Sequence, residues 1–171
     1  MMSATGKKHW VPLFAPKVEG FIHVPYNDFD SLKAAVTERT CAIMFEPVQG
    51  EGGVYPATQE YQEAVRKLCD EEGILLIYDE IQTGIGRTGK LFAFEHSGIR
   101  PDIMTLAKGI GGGYPLSAML TTTALDIFEP GDQGGSYCAQ PLGMAVGEAV
   151  VREVVEGGWV NNAQEMGDYL K

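Results

Sequence analysis

The sequence has few cysteines, and their placement argues against the common cysteine-based structural motifs. Cys41, Cys69 and Cys138 are odd in number, widely spaced and outside any C-x-x-C pair, which disfavours a disulfide framework or a zinc site. No apolar run approaches the length of a membrane span, and the polar N-terminus MMSATGKKHW has no apolar signal core. We therefore expect a cytoplasmic protein with no membrane partner.

Basic segments are missing as well. The 171 residues contain 13 Lys and Arg against 23 Asp and Glu, which gives a formal net charge of -10. A protein that binds nucleic acid needs a basic surface to neutralise phosphates. The sequence therefore predicts no nucleic-acid partner.

Glycine and proline, in contrast, are plentiful, with 22 and 9 residues. They cluster in a few short stretches, which is typical of special turns rather than of a flexible or low-complexity chain. The length suits one ordinary domain with a substantial core.

Apolar periodicity divides the chain into alternating strands and helices. Strands are predicted at residues 41–47, 74–80, 102–107 and 116–122. Helices are predicted over SLKAAVTER after a cap at Asp30, from Thr58 to near Gly73, from about Pro141 to Glu156, and from about Asn161 onward. This order predicts an α/β fold with a mostly parallel sheet flanked by helices. The apolar run CAIMFEP further predicts a strand that is covered on both faces.

Polar motifs follow three of the predicted strands. They read EPVQGE, YDEIQTG and LAKGIGGG. Ligand-binding residues of open α/β sheets gather at the carboxyl ends of the strands. We therefore expect these three motifs to form one site.

A nucleotide-binding loop is one interpretation of the glycine-rich segment Gly84–Lys90, which fits G-x-x-x-x-G-K. Position 91 is Leu, so the hydroxyl that should bind Mg²⁺ is missing. The following LFAFEHSGI is also a poor candidate for the helix whose N-terminus would hold phosphate. These departures favour a different chemistry.

Asp79 and Lys108 indicate that chemistry. Asp79 ends a buried strand, where a carboxylate needs a cationic or donor partner, and a protonated pyridine nitrogen is one such partner. Lys108 directly follows another predicted strand, and its amine there could bond covalently to a carbonyl compound. The four glycines among the next five residues allow the backbone to approach a ligand closely.

Three longer segments carry a more specific signal. EPVQGEGGVYPA (46–57), LLIYDEIQTGIGRTGKLFAFEHSGIRPDI (75–103) and TLAKGIGGGYPLSAML (105–120) resemble the class III aminotransferases, the group of ornithine and acetylornithine aminotransferases. Lys108 lies 29 positions after Asp79, which matches the spacing expected for that family. The resemblance implies the large domain of a fold type I transferase that depends on pyridoxal 5'-phosphate (PLP).

The resemblance also implies roles for individual residues. Lys108 matches the lysine that carries the cofactor and moves the proton during the reaction, and Asp79 matches the acid that pairs with the pyridine nitrogen. Gln82 matches a residue near the phenolic oxygen of the cofactor, and Glu46 lies near the same group in relatives. Glu51 matches a glutamate that gates the entry of the substrate carboxylate.

Ser136 matches a Thr or Ser that reaches the cofactor phosphate of the neighbouring subunit. The resemblance therefore implies a homodimer with shared active sites. The sequence departs from the usual Gly-Gly-Asn-Pro at this point and reads Cys138-Ala139-Gln140-Pro141.

The resemblance covers only the middle of the family pattern. We therefore expect residues 1–171 to be a partial large domain, with an N-terminal segment and the C-terminal small domain missing, and to be inactive alone. The implied reaction transfers the terminal amino group of N-acetylornithine to 2-oxoglutarate. Ornithine, succinylornithine and 4-aminobutyrate remain alternative donors, and a noncatalytic chain is the alternative outside enzymes.

Overall fold

The computed structural model describes residues 3–171, which divide into two compact units, one ending at Arg39 and the other spanning Thr40–Lys171. The first unit contains a 3₁₀ helix, Lys8–Leu13, and a helix α1, Phe29–Ala35. Within it the amide of Val18 donates to Ser3 Oγ at 2.8 Å.

Helix α1 begins earlier than the sequence predicted, because its cap is Asp28 and not Asp30. The Asp28 carboxylate accepts the amide of Ser31 at 2.9 Å and the Ser31 hydroxyl at 2.6 Å. These hydrogen bonds lower the pKa of Asp28 below its usual value. Asp28 has the extended backbone that a cap requires, whereas Asp30 lies inside the first turn, where its charge complements the helix dipole.

The second unit is built on a four-stranded sheet. Its strands are β1 (Ala42–Phe45), β4 (Leu75–Asp79), β5 (Ile103–Leu106) and β6 (Ala118–Thr121). They lie in the order β1-β4-β5-β6, with the first three parallel and the last antiparallel. The α/β class and the mostly parallel sheet are therefore confirmed.

Helix α2, Gln59–Glu72, covers one face of this sheet. Thr58 caps it by accepting the amide of Tyr61 at 3.1 Å, and Gly73 ends it with a left-handed φ of 66°, both as predicted. Its apolar stripe includes Val65, which is fully buried. On the strand side Leu76 is fully buried too, and burying such a side chain stabilises the fold by about 1.5–3 kcal/mol.

The prediction that the first strand is covered on both faces was wrong. Within the described residues β1 is an edge strand, and Met44 is 41% exposed. Ile43 and Phe45 point to the opposite, helix-covered face, where the Phe45 ring contacts the rings of Tyr61 and Tyr78. An apolar run records strand propensity but does not say how many layers cover the strand.

The remaining elements follow the predicted order, with several short additions that include the 3₁₀ helices Lys108–Gly111 and Thr123–Leu125. The loop at 48–56 contains a short hairpin, β2 (Val48–Gln49) and β3 (Tyr55–Pro56), and α3 spans Phe94–Ser97. Helix α4 spans Pro141–Glu156 as predicted. Helix α5 spans Trp159–Leu170 and so begins two residues before Asn161. None of the helices in residues 3–171 is long and apolar enough to cross a membrane.

One carboxylate fixes the relative position of α2, β4 and β5. Asp102 Oδ2 accepts the amide of Leu76 at 2.7 Å and Nη1 of Arg66 at 2.9 Å. Asp102 precedes β5, so this junction lies at the end of the sheet where its parallel strands begin. The polar motifs lie at the opposite end of the sheet, where the parallel strands end.

Candidate functional site

The three polar motifs lie at one edge of the sheet, as predicted. Glu46 directly follows β1, Asp79 is the last residue of β4, and Lys108 comes two residues after β5. The parallel register pairs Phe45 with Tyr78 and Asp79 with Thr105, so the strands end at nearly the same level. The topology therefore assembles one polar edge from segments that are far apart in the sequence.

Lys108 has a strained backbone at this edge. It opens a 3₁₀ turn, Lys108–Gly111, with a φ of 46°, in the left-handed region that residues with a side chain rarely occupy. Such a conformation costs about 1–2 kcal/mol and persists only where surrounding contacts impose it. The Lys108 side chain is exposed, and its Nζ donates a hydrogen bond to Gln82 Oε1.

Gln82 is held against Lys108 by the loop that follows β1. Glu46 Oε2 accepts the amide of Gly50 at 3.1 Å. A Cβ atom at Gly50 would lie 2.6 Å from Gln82 Cγ, so only glycine leaves room for the glutamine in this position. Contacts therefore run from Glu46 through Gly50 and Gln82 to Lys108.

Asp79 has an oxygen available for a ligand. Its Oδ1 accepts the amide of Ile81 at 3.0 Å, while Oδ2 has no hydrogen-bond partner among residues 3–171. Its register partner Thr105, whose side chain points to the same face of the sheet, has a buried Oγ1 that also lacks a partner in the described chain. Buried polar atoms are normally satisfied, so the unpaired Thr105 hydroxyl beside Asp79 is consistent with a bound group at this end of the sheet.

A pocket of about 540 Å³ opens beside Lys108. Its lining consists of Ala107, Lys108, Gly113, Tyr114, Pro115, Leu116 and Ser117. Asp79 and Thr105 are not among its lining residues, but they lie at the same end of the sheet. A lysine amine, a carboxylate oxygen that can accept from a protonated ring nitrogen and an unpaired hydroxyl are groups that would hold PLP. The residues present are therefore compatible with the cofactor that the sequence implies.

Two of the predicted site residues lie outside the contacts that join Glu46 to Lys108. Glu51 is in the exposed turn between β2 and β3, and Ser136 is in the exposed loop before α4. The Ser136 carbonyl accepts Gln140 Nε2 at 2.6 Å, while its hydroxyl has no partner within the described chain. Their roles stay predictions.

Glu80 is the residue that the sequence reasoning missed. It is 1% exposed, and its carboxylate accepts the amide of Ala93 at 2.6 Å, the amide of Phe94 at 2.9 Å and the Thr83 hydroxyl at 3.1 Å. Burial raises the pKa of Glu80 above its usual value, against the lowering effect of these bonds. The only sequence signal was a second acid after a strand that already ended in Asp79.

The segment Gly84–Lys90 does not form a nucleotide-binding loop. It is a series of turns, and the next helix, α3, begins at Phe94 and is four residues long. A phosphate-binding loop leads directly into a longer helix whose amides face the phosphate. The rejection of the nucleotide interpretation is therefore supported.

Comparisons with known proteins show the family to which the chain belongs. The family model for Aminotransferase class-III matches residues 1–171. Acetylornithine aminotransferase 2 of Bordetella pertussis is 54% identical over 163 residues, which are 95% of this chain and 41% of the relative. Acetylornithine aminotransferase of Ralstonia nicotianae is 52% identical over 170 residues, 99% of this chain and 43% of the relative.

Solved structures give the same result for the fold. The ornithine aminotransferase of Toxoplasma gondii superposes with a TM-score of 0.90 at 30% identity, covering 98% of this chain and 41% of that one. The N-acetylornithine aminotransferase of Stenotrophomonas maltophilia gives 0.76 at 38% identity, covering 88% of this chain and 39% of that one. This chain spans about two fifths of the length of these relatives. It belongs to the class-III aminotransferases.

Proposed function

We propose that the whole protein is a PLP-dependent aminotransferase that transfers the terminal amino group of N-acetylornithine to 2-oxoglutarate. The observation that carries the proposal is the contact of Lys108 with Gln82 at the polar edge where Asp79 keeps an open oxygen. Membership of a PLP-dependent family supports the reaction type. The substrate is supported by relatives at 48–54% identity that are named acetylornithine aminotransferase.

Within this proposal residues 1–171 are part of the large, cofactor-binding domain. PLP supplies an electron sink that stabilises the negative charge left when the carbon next to the amine loses its proton. Asp79 would hold the pyridine nitrogen protonated through its open Oδ2. That pairing satisfies a carboxylate oxygen which the described chain leaves without a partner.

Lys108 has two tasks in this proposal. Its Nζ would hold the cofactor at rest, and its free amine would move the proton from the reacting carbon of the substrate to the cofactor carbon. Gln82 Oε1 accepts from Nζ and so limits the directions in which the amine can point. The left-handed φ of 46° at Lys108 sets the direction in which its side chain leaves the backbone.

The remaining predicted residues complete the site. We place Glu46 behind Gln82, where its bond to Gly50 supports the glutamine. Glu51 on its exposed turn would gate the substrate carboxylate, and the exposed Ser136 would contact the cofactor phosphate of a second subunit in a homodimer. The three cysteines, none of them disulfide-bonded, support a reducing cytoplasm.

A substrate-panel assay tests the proposal on the protein expressed from its complete reading frame. N-acetylornithine, ornithine, succinylornithine and 4-aminobutyrate are each supplied with 2-oxoglutarate and PLP, and glutamate formation is followed. We expect the highest kcat/KM with N-acetylornithine. A higher kcat/KM with another donor would transfer the assignment to that donor.

Two lysine variants separate the aminotransferase from the rejected nucleotide binder. Lys108→Ala removes the proposed base, so we expect at least a thousandfold loss of kcat, in line with removal of a covalent and acid-base group. Lys90→Ala changes an exposed lysine of the glycine-rich segment and should leave kcat unchanged. Full activity in Lys108→Ala would contradict the proposal.

A further inference from the structure

Glu80 has no assigned role in the reaction, yet it is the most completely buried acid of the polar edge. It follows Asp79 directly, but alternation along the strand directs the two side chains to opposite faces of the sheet. Its carboxylate therefore lies away from the ligand-facing side. No Lys or Arg forms an ion pair with it within the described residues.

Two of the groups that donate to this carboxylate, from Thr83 and Ala93, belong to the loop that follows it, and the third is the amide of Phe94 at the start of α3. Oε2 accepts from the Thr83 hydroxyl and the Ala93 amide, and Oε1 accepts from the Phe94 amide. The backbone of Glu80 adds two bonds, since its amide donates to Thr105 O at 3.0 Å and its carbonyl accepts from Gly84 at 2.8 Å. One residue thus joins β5 to both ends of the loop.

Residues 81–93 contain no helix or strand. Their remaining hydrogen bonds lie mostly beyond Thr83, where Gly86 donates to Leu91 O at 3.1 Å, Thr88 contacts His96 Nε2 at 3.0 Å and Phe92 donates to Glu95 Oε1 at 2.8 Å. In the first turn, the amide of Ile81 donates to Asp79 Oδ1 at 3.0 Å. Gln82 lies in the first turn of this loop, between Glu80 and Thr83. The direction in which Gln82 projects therefore depends on the anchor at Glu80.

We propose that Glu80 is a positioning residue, whose buried carboxylate fixes the loop that holds Gln82 against Lys108. This inference rests on the proposed function, because it assigns Glu80 a task in the site built around Lys108. A carboxylate suits the task, since both oxygens accept and three donors converge on them. A glutamine in its place would turn an NH₂ group toward at least one of these donors.

The test uses the holoenzyme expressed from its complete reading frame, with Glu80→Gln compared to Asp102→Asn. Asp102 is a matched control because its carboxylate also anchors a backbone amide, but at the far end of the sheet. Both variants should lower Tm. Only Glu80→Gln should change the visible circular dichroism of the bound cofactor, and lower kcat by on the order of tenfold to a hundredfold with little change in KM.

A milder pair of variants keeps the test decisive if Glu80→Gln does not fold. Thr83→Val removes one donor to Glu80 while keeping the shape of the side chain, and Thr83→Ser keeps the hydroxyl. We expect Thr83→Val to alter the dichroism band in the same sense and Thr83→Ser to restore it. Hydrogen exchange of residues 81–94 in the apoprotein should increase in Thr83→Val but not in Thr83→Ser.

Two results would overturn the inference. One is a wild-type dichroism band and kcat in Glu80→Gln or, where only the milder pair folds, in Thr83→Val. The other is an equal change of that band in Asp102→Asn at the same loss of Tm. Absence of a cofactor band in the unmutated protein would instead refute the proposed function, so the two failures are distinguishable.

Discussion

At the scale of single residues, the position of Gln82 depends on Gly50, because glycine has no side chain to occupy the same space. The nearest obstacle to a Cβ atom there is Gln82 Cγ, a side-chain atom that can move. We expect Gly50→Ala to push Gln82 away from Lys108 and lower kcat by about tenfold, without unfolding the protein. Gly167→Ala in α5 is the control, because a Cβ atom at Gly167 meets nothing within 4 Å. Equal kcat values for the two variants would contradict this reading.

The strained backbone of Lys108 gives a second residue-scale prediction. Lys108→Ala and Lys108→Gly both remove the amine, so they differ only in how well they tolerate a φ of 46°. We expect the glycine variant to be more stable by about 1 kcal/mol, as measured by chemical denaturation. An alanine variant that is as stable as the glycine variant would show that the turn is not strained.

Cys69 gives a pH-dependent prediction. Burial raises the pKa of Cys69 from 9.0 to about 11. The folded protein therefore holds this proton more tightly than the unfolded chain, and the resulting stability is present below pH 9.0 and is lost as the pH rises toward about 11. Between these values the free energy of unfolding should fall more steeply in the wild type than in Cys69→Ala. If the free energy of unfolding falls equally with pH in both proteins, the Cys69 thiol does not contribute to the pH dependence.

At the scale of secondary-structure elements, helix α2 depends on its capping residue. Thr58→Ala removes the acceptor for the amide of Tyr61, so we expect a loss of about 1 kcal/mol in the free energy of unfolding. Thr58→Ser keeps the hydroxyl and should retain most of the stability. Denaturant titration of both variants measures the difference. A free energy of unfolding in Thr58→Ala equal to that of the wild type would show that the cap does not stabilise the helix.

The elements that could be predicted were those with local signals. Thr58 and Gly73 bound α2, and Pro141 begins α4, because a cap, a left-handed glycine and a proline at a helix start act within a few residues. The hairpin of β2 and β3 was missed, since two residues per strand are too few to show a period. The exposure of Met44 on β1 was not predicted, because the coverage of a strand depends on elements that are distant in the sequence.

At the scale of the whole molecule, the site is a product of topology. The strand-end rule predicted correctly that the segments beginning at Glu46, Asp79 and Lys108 meet at one edge. The sequence could not show that Gly50 makes room for Gln82, or that Glu80 holds the loop between them, because both facts depend on distances across the fold. The resemblance to the family indicated the PLP-dependent reaction, whereas the pairing of the strands determined where the site residues lie.

The central claim is that Lys108 carries the cofactor, and chemical trapping tests it most directly. The protein expressed from its complete reading frame is incubated with PLP and reduced with borohydride, and its peptides are mapped by mass spectrometry. The account predicts a single modified lysine, Lys108, with Lys90 unmodified. A modification that is spread over several lysines, or found at another lysine while Lys108 stays free, would contradict it.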